Sequence, residues 1–460
     1  MAKPRSSFRC SACGHSVAKW VGRCPDCGEW GTVDEIAGIA PGPRGGGVGG
    51  VAPTSPARPI TEIDANSSLA IATGIGELDR VLGRGVVPGS VILLAGEPGV
   101  GKSTLLLEAV KHWARGGRKA LYLTGEESAG QVRMRAERTD AVHENVYLAA
   151  ESDLATILGH IDAVDPTLVI MDSVQTVVAT GTDGVTGGVT QIRAVTTALV
   201  SMAKNRGVAV ILVGHVTKDG AVAGPRSLEH LVDVVLSFEG DRHSSLRMVR
   251  GIKNRFGASD EVGCFEQRDD GIHEVPDPSG IFLHQRDDDV SGSTAMVTMD
   301  GKRALVGEVQ ALANTSTMAM PRRAVSGVDS ARVAMVIAVL QSRLGLKLHD
   351  QEIYVSTVGG MRVTEPAADL ALALAIASTF RNRPIPYNTV AIGEVGLAGE
   401  VRRVSAVSRR VAEAKRLGFA HAIIPAGTDE KLPTGIRITR VDDLAQAVAA
   451  ESREVVDAPF

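Results

Sequence analysis

Residues 90–114 read SVILLAGEPGVGKSTLLLEAVKHWA, and the fold turns on them. The run VILLA is short, β-rich and continuously apolar, the pattern of a strand buried on both faces of a parallel sheet. The segment STLLLEAVKHWA has the periodicity of a helix. Between them, Gly96-Glu97-Pro98-Gly99-Val100-Gly101-Lys102-Ser103-Thr104 fills every required place of a phosphate-binding loop. Its glycines allow backbone N–H groups to turn inward onto phosphates. Lys102 is placed to bridge the β- and γ-phosphates and Ser103 to ligate magnesium. Thr104 continues into a helix whose N-terminal dipole favours anions. The stretch predicts an ATPase that takes ATP with Mg2+.

Three further apolar runs, KALYLTG, PTLVIMD and VAVILVG, extend the same sheet, with helix candidates between them as βαβ crossovers require. The strand 168–172 ends in Asp172, the expected magnesium partner. Another strand is followed by Glu126 and Glu127. Neighbours leaving a strand point apart, so one carboxylate reaches the attacking water. Glu126 is preferred, and Glu127 serves equally well as charge complement to the next helix. His215 follows VAVILVG, either as a sensor of the γ-phosphate or as an ordinary loop histidine. SLRMVRGIK alternates as an antiparallel edge strand does, and leads into Lys253-Asn254-Arg255-Phe256-Gly257. By composition that segment is a solvated basic turn. In a ring of subunits its cations can instead enter the neighbour's site and stabilise phosphoryl-transfer charge.

Four of the 5 cysteines come early, as Cys10-x-x-Cys13 and Cys24-x-x-Cys27. Two such knuckles supply the four thiolates of a closed tetrahedral Zn2+ site, structural rather than catalytic. No secretory signal is visible before them, and no apolar run approaches the roughly 20 residues that span a bilayer. A soluble cytoplasmic protein without membrane contact is expected, in which disulfides are disfavoured. Cys264 stands alone and reads as a buried small hydrophobe. The tract GIAPGPRGGGVGGVAPTSPARP is a flexible tether. The expected organisation is therefore a four-cysteine zinc module at 1–34, a linker at 35–59, an ATPase domain at 60–278 and a second α/β domain at 279–460. That last domain has a helix candidate at 329–343, a strand EIYVSTV and an Ala/Leu-rich helix from Pro366. An apolar content of 44% suffices for such cores. The net charge of −4 neither demands nor excludes a polyanionic partner, and 3% aromatic residues leave few platforms for base stacking.

The zinc module, the segment TGIGELDRVLGRGVVPGS, the phosphate loop, the Asp172 strand and KNRFG together resemble the bacterial RadA (Sms) family of DNA-repair ATPases, over essentially the whole chain. The resemblance implies an α/β fold: a RecA-like P-loop core with a mainly parallel sheet, followed by a Lon-protease-like α/β domain. It implies a homo-oligomeric, hexameric ring on single-stranded or branched DNA, promoting branch migration in recombinational repair alongside the RecA recombinase. Lys253 and Arg255 then look like a trans-acting pair that couples ATP sites of neighbouring subunits. The loop 175–190 and the loop 218–226, which carries Lys218 and Arg226, would face the ring's centre, where weakly basic loops suit backbone contacts. A KaiC-like regulatory ring ATPase and a mediator that uses ATP only to set assembly are the alternatives. In the Lon-like segment Ala367 takes the place of the serine nucleophile, and counting onward puts Ser408 at the position of the lysine. Peptidase chemistry by that dyad is thereby excluded. The basic residues crowded between 402 and 416 are either a second DNA surface or the solvated face of a helix.

Overall fold

The computed structural model describes residues 7–10, 15–17, 21–36, 59–62, 69–215, 227–240, 245–283, 289–318 and 320–451. They belong to two units, Met1–Asp64 and Ala65–Phe460. In the first, β1 (Ser7–Cys10) pairs antiparallel with β2 (Ser16–Val17) and with β3 (Val33–Ile36). Its apolar cluster is Cys10, Cys24 and Val33. So small a core supplies little hydrophobic stabilisation, and a fold of this kind depends on metal ligation. The proposed tether lies almost wholly outside the described residues.

The second unit starts with α1 (Gly76–Leu82) and then β4 (Val91–Gly96), the strand expected before the phosphate loop. Its residues divide between two cores. Ile92 and Leu94 face α2 (Lys102–Arg115) and its Leu105, Leu106 and Trp113. Val91 and Leu93 face Ile157 and Ile161 of α4 (Leu154–Val164) and Ile192 and Leu199 of α5 (Val189–Arg206). Helices on both faces explain why the strand is continuously apolar instead of alternating.

Around β4 lie β5 (Ala120–Thr124), β6 (Val146–Ala150), β7 (Leu168–Asp172), β8 (Ala209–His215) and β9 (Val234–Gly240), all parallel. The helix α3 (Ala129–Arg138) connects β5 to β6 and starts with a capping box built by Ser128 and Gln131. β10 (Leu246–Asn254), β11 (Val262–Arg268) and β12 (Gly271–Glu274) then run antiparallel, giving the order β12-β11-β10-β9-β4-β8-β7-β5-β6. The antiparallel character expected for SLRMVRGIK is therefore present. Four strands of this sheet, β6, β9, β11 and β12, are not among the runs singled out by sequence. β6 is the half-exposed parallel edge, and β9 carries Ser237 and Glu239 among its apolar residues.

After α6 (Ser279–Phe282) the chain enters a seven-stranded sheet of β13 (Ser293–Asp300), β14 (Arg303–Thr315), β15 (Arg323–Ser326), β16 (Gln351–Thr357), β17 (Thr389–Ala391), β20 (His421–Pro425) and β21 (Arg437–Val441), in the order β15-β16-β14-β13-β17-β20-β21. A short ribbon of β18 (Glu394–Val395) and β19 (Val401–Arg402) stands beside it. The helix α7 (Ser330–Leu344) is capped by Asp329, whose carboxylate accepts the Arg332 N–H. The helix α8 (Asp369–Arg381) is apolar nearly all round because it is buried nearly all round. α9 (Val407–Arg416) and α10 (Leu444–Glu451) complete the unit.

One apolar cluster includes Leu246, Val262 and Cys264 from the nine-stranded sheet together with residues of α7 and α8. Burial there pushes the Cys264 thiol up to about 11, so it is protonated and inert at neutral pH. Through the same junction runs a buried ion pair, Glu77 of α1 with Arg303 of β14. Glu77 also accepts the Cys264 N–H at 2.9 Å, and Arg303 donates to the Val262 and Pro276 carbonyls at 3.1 and 2.7 Å. Both charges are thus paired and hydrogen-bonded, the condition under which burial is tolerated. Arg303→Ala is expected to lower the unfolding free energy by about 3–5 kcal/mol in denaturant titration, because Glu77 is left buried and unpaired. Adding Glu77→Gln should return part of that loss.

Candidate functional site

The phosphate loop leaves β4 at Gly96 and closes at Lys102, the first residue of α2. Gly99 and Gly101 have φ of +79° and +109°, the left-handed region that glycine enters without strain. A Cβ on Gly101 would lie 2.7 Å from Gln267 Oε1 and 2.9 Å from Ile272 Cδ1, so the loop is seated against β11 and β12. No side chain caps α2, and its first N–H groups remain available to an anion. Lys102 Nζ donates to the Gly96 and Glu97 carbonyls at 2.8 and 2.9 Å. Burial lowers its pKa, while the charges of Asp172 and Glu126 oppose that shift.

Parallel register then brings four strand ends to the same edge. Gly96 lies opposite His215, and Asp172 opposite Thr124. Asp172 Oδ2 accepts the Tyr122 hydroxyl at 2.5 Å, and Tyr122 also contacts the Ser103 side chain. Burial and the Asp172 carboxylate drive the Tyr122 phenol well above its usual pKa, which keeps it a donor. Glu126 accepts the Ser173 hydroxyl, and His215 Nε2 lies 3.0 Å from the same Glu126 oxygen. Glu127 turns away to pair with Arg135 of α3. The two adjacent carboxylates therefore part: Glu126 joins Asp172, Ser173 and His215, whereas Glu127 anchors a helix. A Cβ on Gly125 would come within 2.2 Å of Thr176 Oγ1, so glycine is required where the chain makes this separation.

Sequence reasoning missed two residues of this site. Tyr122 looked like one more buried apolar position on β5, although a phenol at full burial needs a partner. Arg247 of β10 lies across Gly240, where a Cβ would be 2.3 Å from its Cδ, and donates to the Val100 carbonyl at 3.1 Å.

Lys253 and Arg255 lie elsewhere. Lys253 pairs with Val235, itself opposite Leu93 of β4, so it stands three residues, about 10 Å, behind Gly96. Arg255 is farther back, bonded at 3.0 Å to Asp233, whose other carboxylate oxygen accepts the Val91 N–H. Lys253 Nζ donates to the Glu229 and Val232 carbonyls at 2.6 and 2.8 Å. Burial and the Arg255 charge lower its pKa. Neither cation reaches its own chain's phosphate loop. Of the two loops expected to meet DNA, 175–190 follows β7 and its last two residues are already in α5, so the loop itself is 175–188; Gln175 Nε2 donates to the His215 carbonyl at 3.5 Å. The second, with Lys218 and Arg226, lies outside the described residues.

In the first unit the sulfurs of Cys10, Cys24 and Cys27 lie within 4.8 Å of one another. Cys10 and Cys27 are 3.7 Å apart. A tetrahedral zinc with bonds of about 2.3 Å separates its sulfurs by about 3.8 Å, so this spacing fits the metal. The Cys10 N–H bonds to the His15 carbonyl and the Cys24 N–H to the Glu29 carbonyl, each at 2.9 Å. Thr32 Oγ1 lies 3.2 Å from Cys10 Sγ. Cys13, the expected fourth ligand, lies outside the described residues.

In the last domain Ala367 is buried, but Ser408 is not beside it. Its hydroxyl donates to the Lys431 carbonyl and its N–H to Glu430, both at 2.7 Å. The side chain brought next to the 365–367 segment is Arg410, fully buried and forked onto both Glu365 oxygens at 2.6 and 2.7 Å. Counting by sequence therefore selected the exposed side of α9 and missed its buried side. Burial raises the Glu365 pKa, but its bond to Arg410 and the Arg410 charge more than offset this and hold it below the usual value. Arg402, Arg403 and Arg416 are ion-paired with Glu400, Asp429 and Glu413, so the basic segment is largely charge-compensated.

Comparison with known proteins agrees with this layout. The rubredoxin metal binding domain family matches residues 8–35, the AAA domain family residues 64–221, and the family of subunit ChlI of Mg-chelatase residues 306–428. DNA repair protein RadA of Mycolicibacterium smegmatis is 60% identical over 453 residues, covering 97% of each chain. The chain belongs to the RadA family. RadA of Mycobacterium tuberculosis is 58% identical over 455 residues, covering 97% of this chain and 93% of its own. RadA of Bacillus subtilis is 43% identical over 452 residues, covering 97% and 99%. The expected RecA-like P-loop core with a mainly parallel sheet, zinc ribbon and Lon-like C-terminal domain is thus the architecture of this RadA-family chain. Its core is an AAA-type ATPase domain. Among the described residues no helix is long and apolar enough to cross a membrane. Purified protein is expected to carry about one zinc per chain by atomic absorption, and Cys24→Ser to reduce that content and the protease resistance of the first unit.

Proposed function

We propose that the chain is an ATP-driven DNA motor of recombinational repair, working as a homo-oligomeric ring in which each ATP site is completed by the neighbouring subunit. The position of Lys253 and Arg255 carries this reading. They are the cations of a turn at the sheet edge opposite their own phosphate loop, where they serve no nucleotide of their own chain. A ring of like subunits, for which a hexamer is the proposed size, gives them a second loop to face. There they would neutralise charge that develops on the transferred phosphoryl group.

Within one subunit Lys102 holds the phosphates, and the α2 N-terminus adds its N–H groups. Asp172 and Ser103 would hold Mg2+, which supplies charge neutralisation at the phosphates. Tyr122 orients the Asp172 carboxylate by its hydrogen bond. Glu126 positions the attacking water, and Ser173 and His215 fix its carboxylate. His215 is also joined through its carbonyl to Gln175, at the start of the loop 175–188. A shift of Glu126 on hydrolysis therefore has a bonded route to a loop proposed to grip the DNA backbone. The relatives are named DNA repair proteins, which supports DNA as the polymer moved; branch migration alongside the RecA recombinase is the setting proposed for it.

On size-fractionated protein, single-stranded DNA should stimulate ATP hydrolysis, and Lys102→Ala should abolish the stimulated rate. A stimulated rate that survives Lys102→Ala would remove the site assignment. Equal rates with and without DNA would favour a regulatory ring ATPase of the KaiC kind.

The Lon-like domain is proposed to be a scaffold without peptidase activity, since Ala367 has no nucleophile and the residue beside it is an ion-paired arginine. Casein incubated with protein and ATP should stay intact. Cleavage that disappears on substitution within residues 365–410 would overturn this.

A further inference from the structure

Between the two proposed trans-acting cations stands a side chain with different bonds. The Asn254 amide donates to the Val81 and Leu82 carbonyls at 3.2 and 3.1 Å, the last residues of α1. Its Oδ1 accepts the Phe256 N–H at 2.8 Å. One side chain thus caps a helix and closes the turn 253–257. Beside it two glycines bring their backbones together. A Cβ on Gly83, at φ +82°, would lie 3.2 Å from the Gly257 Cα, and one on Gly257 would lie 3.1 Å from both the Gly83 Cα and Asn254 Nδ2. The other end of α1 is held by the buried Glu77–Arg303 pair. The turn is therefore docked on a helix that is itself anchored.

We propose that Asn254 is a positioning residue for the neighbouring subunit's ATP site: it seats the turn on α1 so that Lys253 and Arg255 cross the subunit boundary in a single geometry. This rests on the trans reading of those two cations. In the subunit alone their charges are held on the chain itself, Lys253 on two carbonyls and Arg255 on Asp233. Reaching a neighbour releases those bonds and leaves the Asn254 bonds in place, so Asn254 and α1 are the fixed pivot. An aspartate cannot take over, because it would present a carboxylate to two carbonyl oxygens at the negative end of a helix.

The test uses full-length protein in which unfolding midpoint and oligomer size match the parent. Asn254→Ala and Asn254→Asp should lower kcat by at least about tenfold and change the KM for ATP by less than about twofold, because the chain's own loop is intact. A proportionate rise in KM would overturn the proposal. The decisive measurement mixes impaired variants. Subunits with Lys102→Ala keep an intact turn, and subunits with Asn254→Ala keep an intact loop, so mixed rings contain boundaries with both. ATPase activity should reappear on mixing. Gly83→Ala, which disturbs the same docking while keeping Asn254, should also complement Lys102→Ala, and serves if Asn254 variants fail to fold. If Lys102→Ala with Arg255→Ala recovers activity and both docking variants do not, the role of Asn254 is wrong and the trans reading stands. If no pair recovers, the trans reading falls, and this proposal with it.

Discussion

Parallel pairing of β4, β8, β7 and β5 is the constraint on which the ATPase site depends. Strands that run the same way end at the same edge, and the register sets Gly96 beside His215 and Asp172 beside Thr124. Residues about 40–120 positions apart in the chain thereby become neighbours without any side-chain search. The switch to antiparallel pairing at β9–β10 has the opposite effect, returning the chain to the far edge and leaving Lys253 and Arg255 there. One sheet thus gathers Gly96, Asp172 and His215 at one end and leaves Lys253 and Arg255 toward the other.

Buried charge is the second organising feature. Glu77 with Arg303 ties the ATPase sheet to the C-terminal sheet, Arg332 pairs with Asp369 at the start of α8, and Glu365 pairs with Arg410. Such pairs contribute little net stability over apolar packing, yet each specifies one arrangement because separating it strands a charge. In the last domain the Glu365–Arg410 fork, with Arg410 also donating to the Ser405 and Val297 carbonyls, holds helix α9 to the sheet.

The zinc unit and α8 show the two extremes of legibility. Cysteine spacing announces the first because metal ligation is local, and three of the sulfurs converge as expected. The Ala/Leu run of α8 announces a buried helix, though its composition carries no information about which sheet covers it. β6 and β9 were not legible. A parallel edge strand and a strand with polar positions both lack the continuous apolar run by which their neighbours were recognised.

By itself the sequence determined what depends on short spacing: the phosphate loop with its strand and helix, the Asp172 strand end and the paired cysteines. Tertiary structure decided everything that depends on approach between distant segments. It parted Glu126 from Glu127, supplied Tyr122 and Arg247 to the loop, replaced Ser408 by Arg410 beside the 365 segment, and put Asn254 on the end of α1. The physical reason is the same in each case. A motif records backbone geometry that its own residues impose, whereas a hydrogen bond across the fold exists only once packing has brought distant donors and acceptors within reach.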